Sequence, residues 1–263
     1  ATIAYIFVLA FIPIGLSMKS ELIVFYSENQ RIYGNLHLPY EKAPCIITLH
    51  GLESSKDSSK WINIASKLHD EGYACLRFNF RGCGEGEEKS EGEFEDVSLS
   101  RRINDYKSAL QFLHSIGRVD TNRLGVIGSS FGGMVAIAAK DQRIKAIVTL
   151  GTPYKIPRFD KPLIPKEVGQ YYVLPSGKRF KKSFYEDLKK YDLLKDIKNA
   201  PPILIIHGSA DEVVPLDHAK KLYEAASEPK RLEIIEGADH TFSNMDHLKK
   251  VIDLSLEWFK KYL

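Results

Sequence analysis

Short apolar runs alternate with amphipathic segments along most of the chain. The runs are rich in β-branched residues, as in APCIITLHG from Ala43 and PPILIIHG from Pro201. Continuous apolar runs of this length are typical of strands that are buried on both faces of a parallel sheet. The stretch YACLRFNF has the same character, and RLGVIG, IKAIVTLG and KRLEIIEG are predicted to be strands as well. A different, alternating pattern near the start, ELIVFYSENQRIYGNLHLP, predicts a β-hairpin that turns at Glu28 and Asn29.

The segments between the runs repeat apolar residues at helical spacing. Trp61, Ile64 and Leu68 share one face of a helix that is predicted to end at Gly72. A longer helix is predicted to end at Gly117, and others follow in FGGMVAIAAKD, LDHAKKLYEAAS and DHLKKVIDLSLEWFKKYL. Strands that alternate with helices predict an α/β fold, in which a mostly parallel sheet of eight strands is covered by helices on both faces.

The alternation is interrupted between Thr152 and Lys195. This segment contains five prolines and many aromatic residues, and no periodic pattern predicts an element in it. Unpatterned stretches of this length inside a compact domain are usually functional, as lids are. We therefore divide the chain into an apolar amino-terminal extension (residues 1–17), a core (residues 18–151 and 196–263) and a lid insertion (residues 152–195).

The lid insertion is also strongly basic. It carries eleven basic and five acidic residues, so its net charge of +6 exceeds the +3 of the whole chain. A solvated face is the ordinary explanation of such a charge run. Attraction of acidic acyl esters or of lipid surfaces is the alternative.

The overall composition gives no indication of a nucleic-acid partner, a disulfide framework or a metal site. A net charge of +3 over 263 residues gives no reason to expect nucleic acid as a partner. The three cysteines are too few for a disulfide framework and show no zinc-ligand spacing, so we expect a reduced, cytoplasmic protein without a metal site. The acidic stretch EGEEKSEGEFED has a spacing that suits no particular cation, and we expect a solvated loop there.

Residues 1–17 disagree with a cytoplasmic assignment. They contain an apolar run from Ile3 to Leu16, which Pro13 interrupts and which is shorter than the ~20 residues of a membrane-spanning helix. The run is similar to the hydrophobic part of a signal peptide, but no basic residue precedes it. Secretion or membrane association through this segment alone is one interpretation. An upstream extension, with Met18 as the natural start, is the other.

A candidate nucleophile lies in the motif GSSFG, from Gly128 to Gly132. The motif directly follows a predicted strand and directly precedes a predicted helix. This is the setting of a nucleophile elbow, in which small residues let the backbone turn sharply and expose the central serine. The motif centres on Ser130, whereas Ser129 occupies its free position. A Gly/Ser turn between two buried elements would match the motif by chance, so the choice depends on partners elsewhere in the chain.

A serine nucleophile needs a general base, and the base needs an acid to orient it. His240 alone among the eight histidines falls in a loop, EGADHTF, between the last predicted strand and the last predicted helix. Asp211 follows the carboxyl end of the predicted strand ILIIHG, where open α/β sheets place their active residues. The order Ser130, Asp211, His240 therefore predicts a catalytic triad. For the oxyanion we assign the backbone N–H groups of Leu52 and Phe131.

With these residues assigned, the chain resembles a serine esterase of the α/β-hydrolase superfamily. The matching stretches are LHGLESS, LRFNFRGCGEGEE, GEFEDVSL, VIGSSFGG, ILIIHGSADEVVP and IEGADHTF. The stretch GEFED and the insertion after VTLGTP look most like the cinnamoyl and feruloyl esterases, in a group that includes monoacylglycerol lipases and serine aminopeptidase-like hydrolases. Relatives commonly have His before the nucleophile and Gln after it, where this chain has Ser129 and Phe131, so substrate preference transfers less well than the triad.

The resemblance implies a carboxylesterase or lipase-like enzyme that acts on small to medium acyl or aromatic acyl esters, as small-molecule substrates, without a cofactor or metal. Alternatives are an amide hydrolase of the aminopeptidase-like type and a non-catalytic binding protein of the same fold. We expect the acyl group to contact aromatic residues of the insertion, although these could form the insertion's own core instead. The candidate substrate-binding residues are Tyr154, Phe159, Tyr171, Tyr172, Phe184, Val213 and Phe242.

Overall fold

The computed structural model describes residues 20–156 and 166–263. Residues 1–17 and Phe159 lie outside the described residues, so the predictions made for them stay predictions. The strands are β1 (Ser20–Ser27), β2 (Gln30–His37), β3 (Ala43–Leu49), β4 (Ala74–Phe78), β5 (Val119–Ser129), β6 (Ile144–Leu150), β7 (Lys166–Val168), β8 (Tyr171–Val173), β9 (Arg179–Lys181), β10 (Ile203–Gly208) and β11 (Lys230–Ile235). The helices are α1 (Ser59–Asp70), α2 (Leu99–Ile116), α3 (Phe131–Ala138), α4 (Ser183–Leu188), α5 (Leu193–Asp196), α6 (Asp217–Ala225) and α7 (Met245–Tyr262).

Eight of these strands form one sheet, in the order β1-β2-β4-β3-β5-β6-β10-β11. The pairs β1–β2 and β2–β4 are antiparallel, and the remaining pairs are parallel. The predicted hairpin is present, because Glu28 and Asn29 have φ values of 48° and 65°, as in a two-residue turn that follows the twist of the strands. The predicted α/β-hydrolase sheet is confirmed, and the carboxyl ends of its parallel strands share one edge.

Helices cover both faces of the sheet and enclose an apolar core on each side. On one face α2, α3 and α6 pack against the strands, with Leu110 and Leu222 buried. On the other face α1 and α7 bury Trp61 and Val251. Over residues 20–156 and 166–263, no helix combines the length and the apolar character that crossing a membrane requires.

The insertion contains regular elements. Strands β7, β8 and β9 form a three-stranded antiparallel sheet, and α4 and α5 follow it. Four aromatic side chains, Tyr172, Phe180, Phe184 and Tyr185, are at most 6% exposed and pack on one another. Each of these strands has only three residues, which is too short for a periodic pattern, so the sequence predicts no element here.

A buried polar contact joins the insertion to the start of α2. Asp187 on α4 accepts hydrogen bonds from the amide and the hydroxyl of Ser100, at 2.9 and 2.6 Å. The hydroxyl of Tyr191 lies 2.6 Å from the same Ser100 hydroxyl. A carboxylate at this place satisfies a free amide of the first helical turn and interacts favourably with the helix dipole.

The acidic stretch that precedes α2 also contacts the insertion. Arg179 on β9 pairs with Glu95 at 3.0 Å, and Lys181 on the same strand pairs with Asp96. Glu95 and Asp96 thus contact the insertion while their side chains stay 26% and 33% exposed, so they are not only solvated. Part of the insertion's positive charge is matched by carboxylates of the core.

Candidate active site

Ser130 occupies the sharp turn between β5 and α3. Its φ of 52° and ψ of −117° are rare for a residue with a side chain, and strain of this kind is typical of a nucleophile elbow. Gly132 lets α3 approach β3 closely, because a Cβ on this residue would lie 2.1 Å from the carbonyl oxygen of Leu49. The motif thus folds as its spacing predicts and presents Ser130 at the carboxyl edge of the sheet.

The structure brings the three predicted triad residues together. His240 Nε2 lies 3.1 Å from Ser130 Oγ, and His240 Nδ1 lies 2.8 Å from Asp211 Oδ2. An ionised Asp211 accepts a hydrogen bond from Nδ1–H, which leaves Nε2 unprotonated and able to accept the hydroxyl hydrogen of the serine. This is the arrangement that general-base activation of a serine requires.

The environment of Asp211 favours the ionised form of its carboxyl group. Burial opposes its charge, but hydrogen bonds from His240 and from the backbone outweigh that effect and hold the pKa of the carboxyl below its ordinary value. The backbone bonds come from the amides of Val213 and Val214, which lie 2.9 and 2.7 Å from Oδ1. One carboxylate oxygen is therefore left for the imidazole.

His207 is a neighbour of Asp211 that sequence reasoning missed. Its Nε2 lies 2.8 Å from the carbonyl of Val214 and 3.3 Å from Asp211 Oδ2. Burial lowers the pKa of this fully buried imidazole, so it is neutral and its Nε2–H faces both oxygens. The available signal was the i, i+4 spacing of His207 and Asp211 across the strand end.

Lys60 is a second missed residue, and it explains where Ser129 points. Ser129 is 4% exposed, and its hydroxyl accepts a hydrogen bond of 2.8 Å from Lys60 Nζ on α1. Burial lowers the pKa of Lys60 to about 8, although the charges of Asp239 and Asp211 act in the opposite direction. The sequence offers no signal that separates this lysine from the others on predicted helices.

The two predicted oxyanion donors flank the nucleophile. Phe131 directly follows Ser130 at the start of α3, and the loop of Leu52 passes beside the serine, since a Cβ on Gly51 would lie 3.7 Å from Ser130 Cβ. Within the described part of the chain, neither amide donates a hydrogen bond to another protein atom. Both N–H groups are thus free to bind a negatively charged oxygen.

The candidate substrate-binding residues fall into two groups. Tyr172, Phe184 and Phe242 are each 1% exposed, the first two in the insertion's aromatic cluster and Phe242 in the core beneath α7. Their side chains pack against other protein residues. For Tyr172 and Phe184 this is the alternative named above, in which the aromatic residues form the insertion's own core.

Three other candidates retain accessible surface. Tyr154 lies on the wall of a cavity of about 240 Å³, together with Met134 and Tyr185. Val213 is 44% exposed beside Asp211. Tyr171 is half-buried beneath the Arg179 guanidinium, 4.2 Å from the centre of its ring, and does not line that cavity. Substrate binding by these residues stays a prediction.

Comparisons with known proteins agree with the fold. The model of the prolyl oligopeptidase family matches residues 60–263. The "Putative esterase YitV" of Bacillus subtilis is 28% identical over 90% of this chain and 98% of its own length. YfhR of Escherichia coli O157:H7, described as uncharacterized, is 30% identical over 74% of this chain, which spans only 62% of that protein. Est1E of Butyrivibrio proteoclasticus, solved with ferulic acid bound, superposes with a TM-score of 0.82 at 22% identity, over 91% of this chain and 98% of Est1E.

Proposed function

The chain belongs to the prolyl oligopeptidase family, within the α/β-hydrolase superfamily, and from this premise we propose that it is a serine hydrolase that cleaves carboxylic esters through an acyl-enzyme. One observation carries the proposal: the hydrogen-bonded series from Ser130 Oγ through His240 to Asp211. The similarity to YitV, which is described as a putative esterase, supports the ester as the substrate class.

The first half of the proposed reaction acylates Ser130. His240 Nε2 takes the hydroxyl proton while Oγ attacks the ester carbonyl carbon, and the carbonyl oxygen becomes an oxyanion. The amides of Leu52 and Phe131 donate to that oxyanion. The imidazolium then gives its proton to the leaving alcohol as the carbon–oxygen bond of the ester breaks.

The second half releases the acid. Water enters where the alcohol left, His240 takes its proton, and the resulting oxyanion again rests on the two amides. Collapse expels Ser130 Oγ, which recovers its proton from the imidazolium. Throughout, the ionised Asp211 keeps His240 in the productive tautomer and stabilises its transient positive charge.

We propose that the acyl group extends from Ser130 towards the cavity beside Tyr154, whose lining includes neither Ser130 nor His240. Met134 on its wall lies one turn of α3 beyond Ser130, and its amide donates to the Ser130 carbonyl at 3.3 Å. The volume of about 240 Å³ is smaller than the roughly 300–1,000 Å³ of sites for drug-sized ligands. Small to medium acyl groups, or one aromatic acyl group, fit that size. Est1E, whose structure contains ferulic acid, supports the aromatic case.

Amide hydrolysis is the second candidate, because the matching family is described by an oligopeptidase. The triad would perform the same steps, with an amine as the leaving group. A panel of p-nitrophenyl esters, from acetate to decanoate and cinnamate, should be compared with aminoacyl and prolyl p-nitroanilides. Faster turnover of esters is expected, and faster turnover of anilides would assign a peptidase.

A fluorophosphonate probe separates an enzyme from a binding protein of the same fold. We expect the probe to attach to Ser130 in the intact protein and to be lost in Ser130→Ala, with the attachment site located by peptide mass spectrometry. Absence of labelling together with absence of turnover on every ester and anilide would contradict the proposed function.

A further inference from the structure

We propose that Arg102 is a positioning residue for the oxyanion site. It holds the Gly51–Leu52 peptide unit and the ring of Phe131 in the geometry in which the two amides bind the developing negative charge. The inference rests on the proposed function, since it concerns the donors of that reaction. It starts from the hydrogen bonds of one buried guanidinium, whose Nη2 also donates to Cys83 Sγ at 3.5 Å. Nη1 donates to the carbonyl oxygens of Gly51, at 3.0 Å, and His50, at 3.4 Å, and Nη2 donates to the carbonyl oxygen of Leu52, at 2.8 Å.

The bond to Gly51 acts directly on one oxyanion donor. The carbonyl of Gly51 and the N–H of Leu52 belong to the same planar, trans peptide unit, so they point in opposite directions. Arg102 holds the carbonyl oxygen on one side together with the imidazole of His50, whose Nδ1 lies 2.8 Å from the same oxygen, so the N–H is fixed on the other side. The loop approaches Ser130 there, with a Cβ on Gly51 lying 3.7 Å from Ser130 Cβ. A donor bound to the carbonyl also polarises the peptide and strengthens its N–H as a donor.

The same guanidinium contacts the second donor residue. Its Cζ lies 5.1 Å from the centre of the Phe131 ring and 4.6 Å from that of Phe80, within the range of cation–π attraction. Phe131 supplies the other predicted N–H. One side chain therefore contacts both residues whose amides are assigned to the oxyanion.

The environment of Arg102 differs from that of a purely structural arginine. Arg102 is 1% exposed, and among the described residues no carboxylate pairs with it. Arg81, which is also buried, pairs with Asp105 at 2.6 Å on the same helix as Arg102. The charge of Arg102 is met by loop carbonyls, ring faces and the sulfur of Cys83, while its Nε has no partner in the described part of the chain. An unpaired buried cation costs stability, and its field favours an anion in the adjacent site.

The test uses two variants. Arg102→Gln removes the positive charge. Arg102→Lys keeps the charge, but its single nitrogen cannot reach all three carbonyl oxygens that the guanidinium binds. With p-nitrophenyl acetate we expect kcat to fall by about 10²–10³ in Arg102→Gln, the range for loss of one oxyanion donor. KM should stay nearly constant, and Arg102→Lys should fall between Arg102→Gln and the unaltered protein. The affinity for a trifluoromethyl ketone, which forms an oxyanion on Ser130, should fall by the same factor as kcat.

Arg81→Gln is the matched control, because it removes another buried guanidinium without touching the loop. It should lower the midpoint of denaturant unfolding but leave kcat and the ketone affinity of the folded protein unchanged. An unchanged kcat in folded Arg102→Gln, or a loss of kcat without loss of ketone affinity, would overturn the proposal. If Arg102→Gln does not fold, kcat and the ketone affinity of Arg102→Lys test the proposal instead. Failure of the unaltered protein to hydrolyse any ester or to bind the ketone would instead refute the proposed function.

Discussion

At the scale of single residues, two adjacent serines differ in what their hydroxyls contact. Ser130 Oγ faces His240, and Ser129 Oγ faces Lys60. We expect Ser130→Ala to lower kcat by about 10⁶, as loss of the nucleophile does in other serine hydrolases. Ser129→Ala should keep most activity but reduce the free energy of unfolding by about 1–3 kcal/mol, because Lys60 loses its hydroxyl partner. Ester turnover and urea unfolding of both variants check this, and equal loss of turnover in both would contradict it.

The two aspartates near His240 are distinguished in the same way. Asp211 contacts the imidazole at 2.8 Å, whereas Asp239 accepts from the amide and hydroxyl of Ser243, at 2.8 Å and 2.5 Å. Asp211→Asn should lower kcat by about 10⁴, because the wrong tautomer of the imidazole is then favoured. Asp239→Asn should cost far less, since it alters only the local turn. Stopped assays at saturating ester measure both, and the reverse ranking would mean that Asp239 is the orienting acid.

The buried imidazole of His37 makes the free energy of unfolding depend on pH. Burial, together with the nearby charge of Arg77, lowers the pKa of His37 to about 3 from an ordinary value of 6.5. Because the unfolded chain binds this proton more tightly, the free energy of unfolding falls as the pH drops from 6.5 towards 3, by up to about 1.4 kcal/mol per pH unit. His37→Gln, which can still accept from Arg77 Nε, should show a shallower decline. Urea unfolding between these pH values tests this, and parallel curves for the two proteins would refute it.

The meeting of Ser130, Asp211 and His240 could be predicted from sequence because each of them follows a predicted strand. The roles of Lys60 and Arg102 could not be predicted, since their importance comes from partners that are distant in sequence, whereas the contact of His207 with Asp211 was signalled by their i, i+4 spacing. Lys60 reaches a hydroxyl 69 positions away, and Arg102 reaches the Leu52 carbonyl 50 positions away. Helical periodicity records only that such residues lie on a helix.

At the scale of elements, the insertion shows the limit of periodic patterns. The central strands β3, β4 and β10 are buried on both faces and consist mostly of apolar residues, so their existence follows from sequence. Strands β7, β8 and β9 are held by burial of Tyr172 and Phe180 against α4 and by pairing with one another. These are tertiary contacts that no local window contains.

Two neighbouring residues of β9 allow the contributions of apolar burial and of ion pairing to the stability of the insertion to be compared. Phe180 is 1% exposed, whereas Lys181 makes a partly exposed ion pair with Asp96. Phe180→Ala should reduce the free energy of unfolding by about 3–5 kcal/mol, as loss of a buried aromatic ring does. Lys181→Ala should cost less than about 1 kcal/mol. Denaturant unfolding compares them, and a larger loss in Lys181→Ala would show that ion pairing dominates.

The insertion should also set acyl preference. Tyr154, where the insertion begins, lines the cavity proposed for the acyl group, and Tyr171 does not. Tyr154→Ala should change the ranking of hexanoate and cinnamate esters through KM, because lost apolar contact weakens binding by roughly 25 cal/mol per Å². Acetate turnover should largely survive, and Tyr171→Ala should alter the ranking less. A fixed ranking with collapsed acetate turnover would show that Tyr154 supports the catalytic geometry instead.

At the scale of the whole molecule, the parallel sheet collects the site at one edge. The Leu52 loop follows β3, Ser130 follows β5, Asp211 follows β10 and His240 follows β11. The carboxyl ends of parallel strands point the same way, so residues from separate parts of the chain meet there. This explains why the site could be predicted before any contact was known, although the cavity's size and the burial of Phe242 depend on packing.

The same distribution along the chain sets the order in which a denatured molecule recovers its properties. The contact between Ser130 and His240 joins positions 110 residues apart, and the one between His240 and Asp211 needs β10 and β11 in register. Closing such long loops is entropically costly and slow, whereas helices form within microseconds. After rapid dilution from urea, helical circular dichroism should therefore return well before ester turnover, which makes catalysis a reporter of the last stage of refolding.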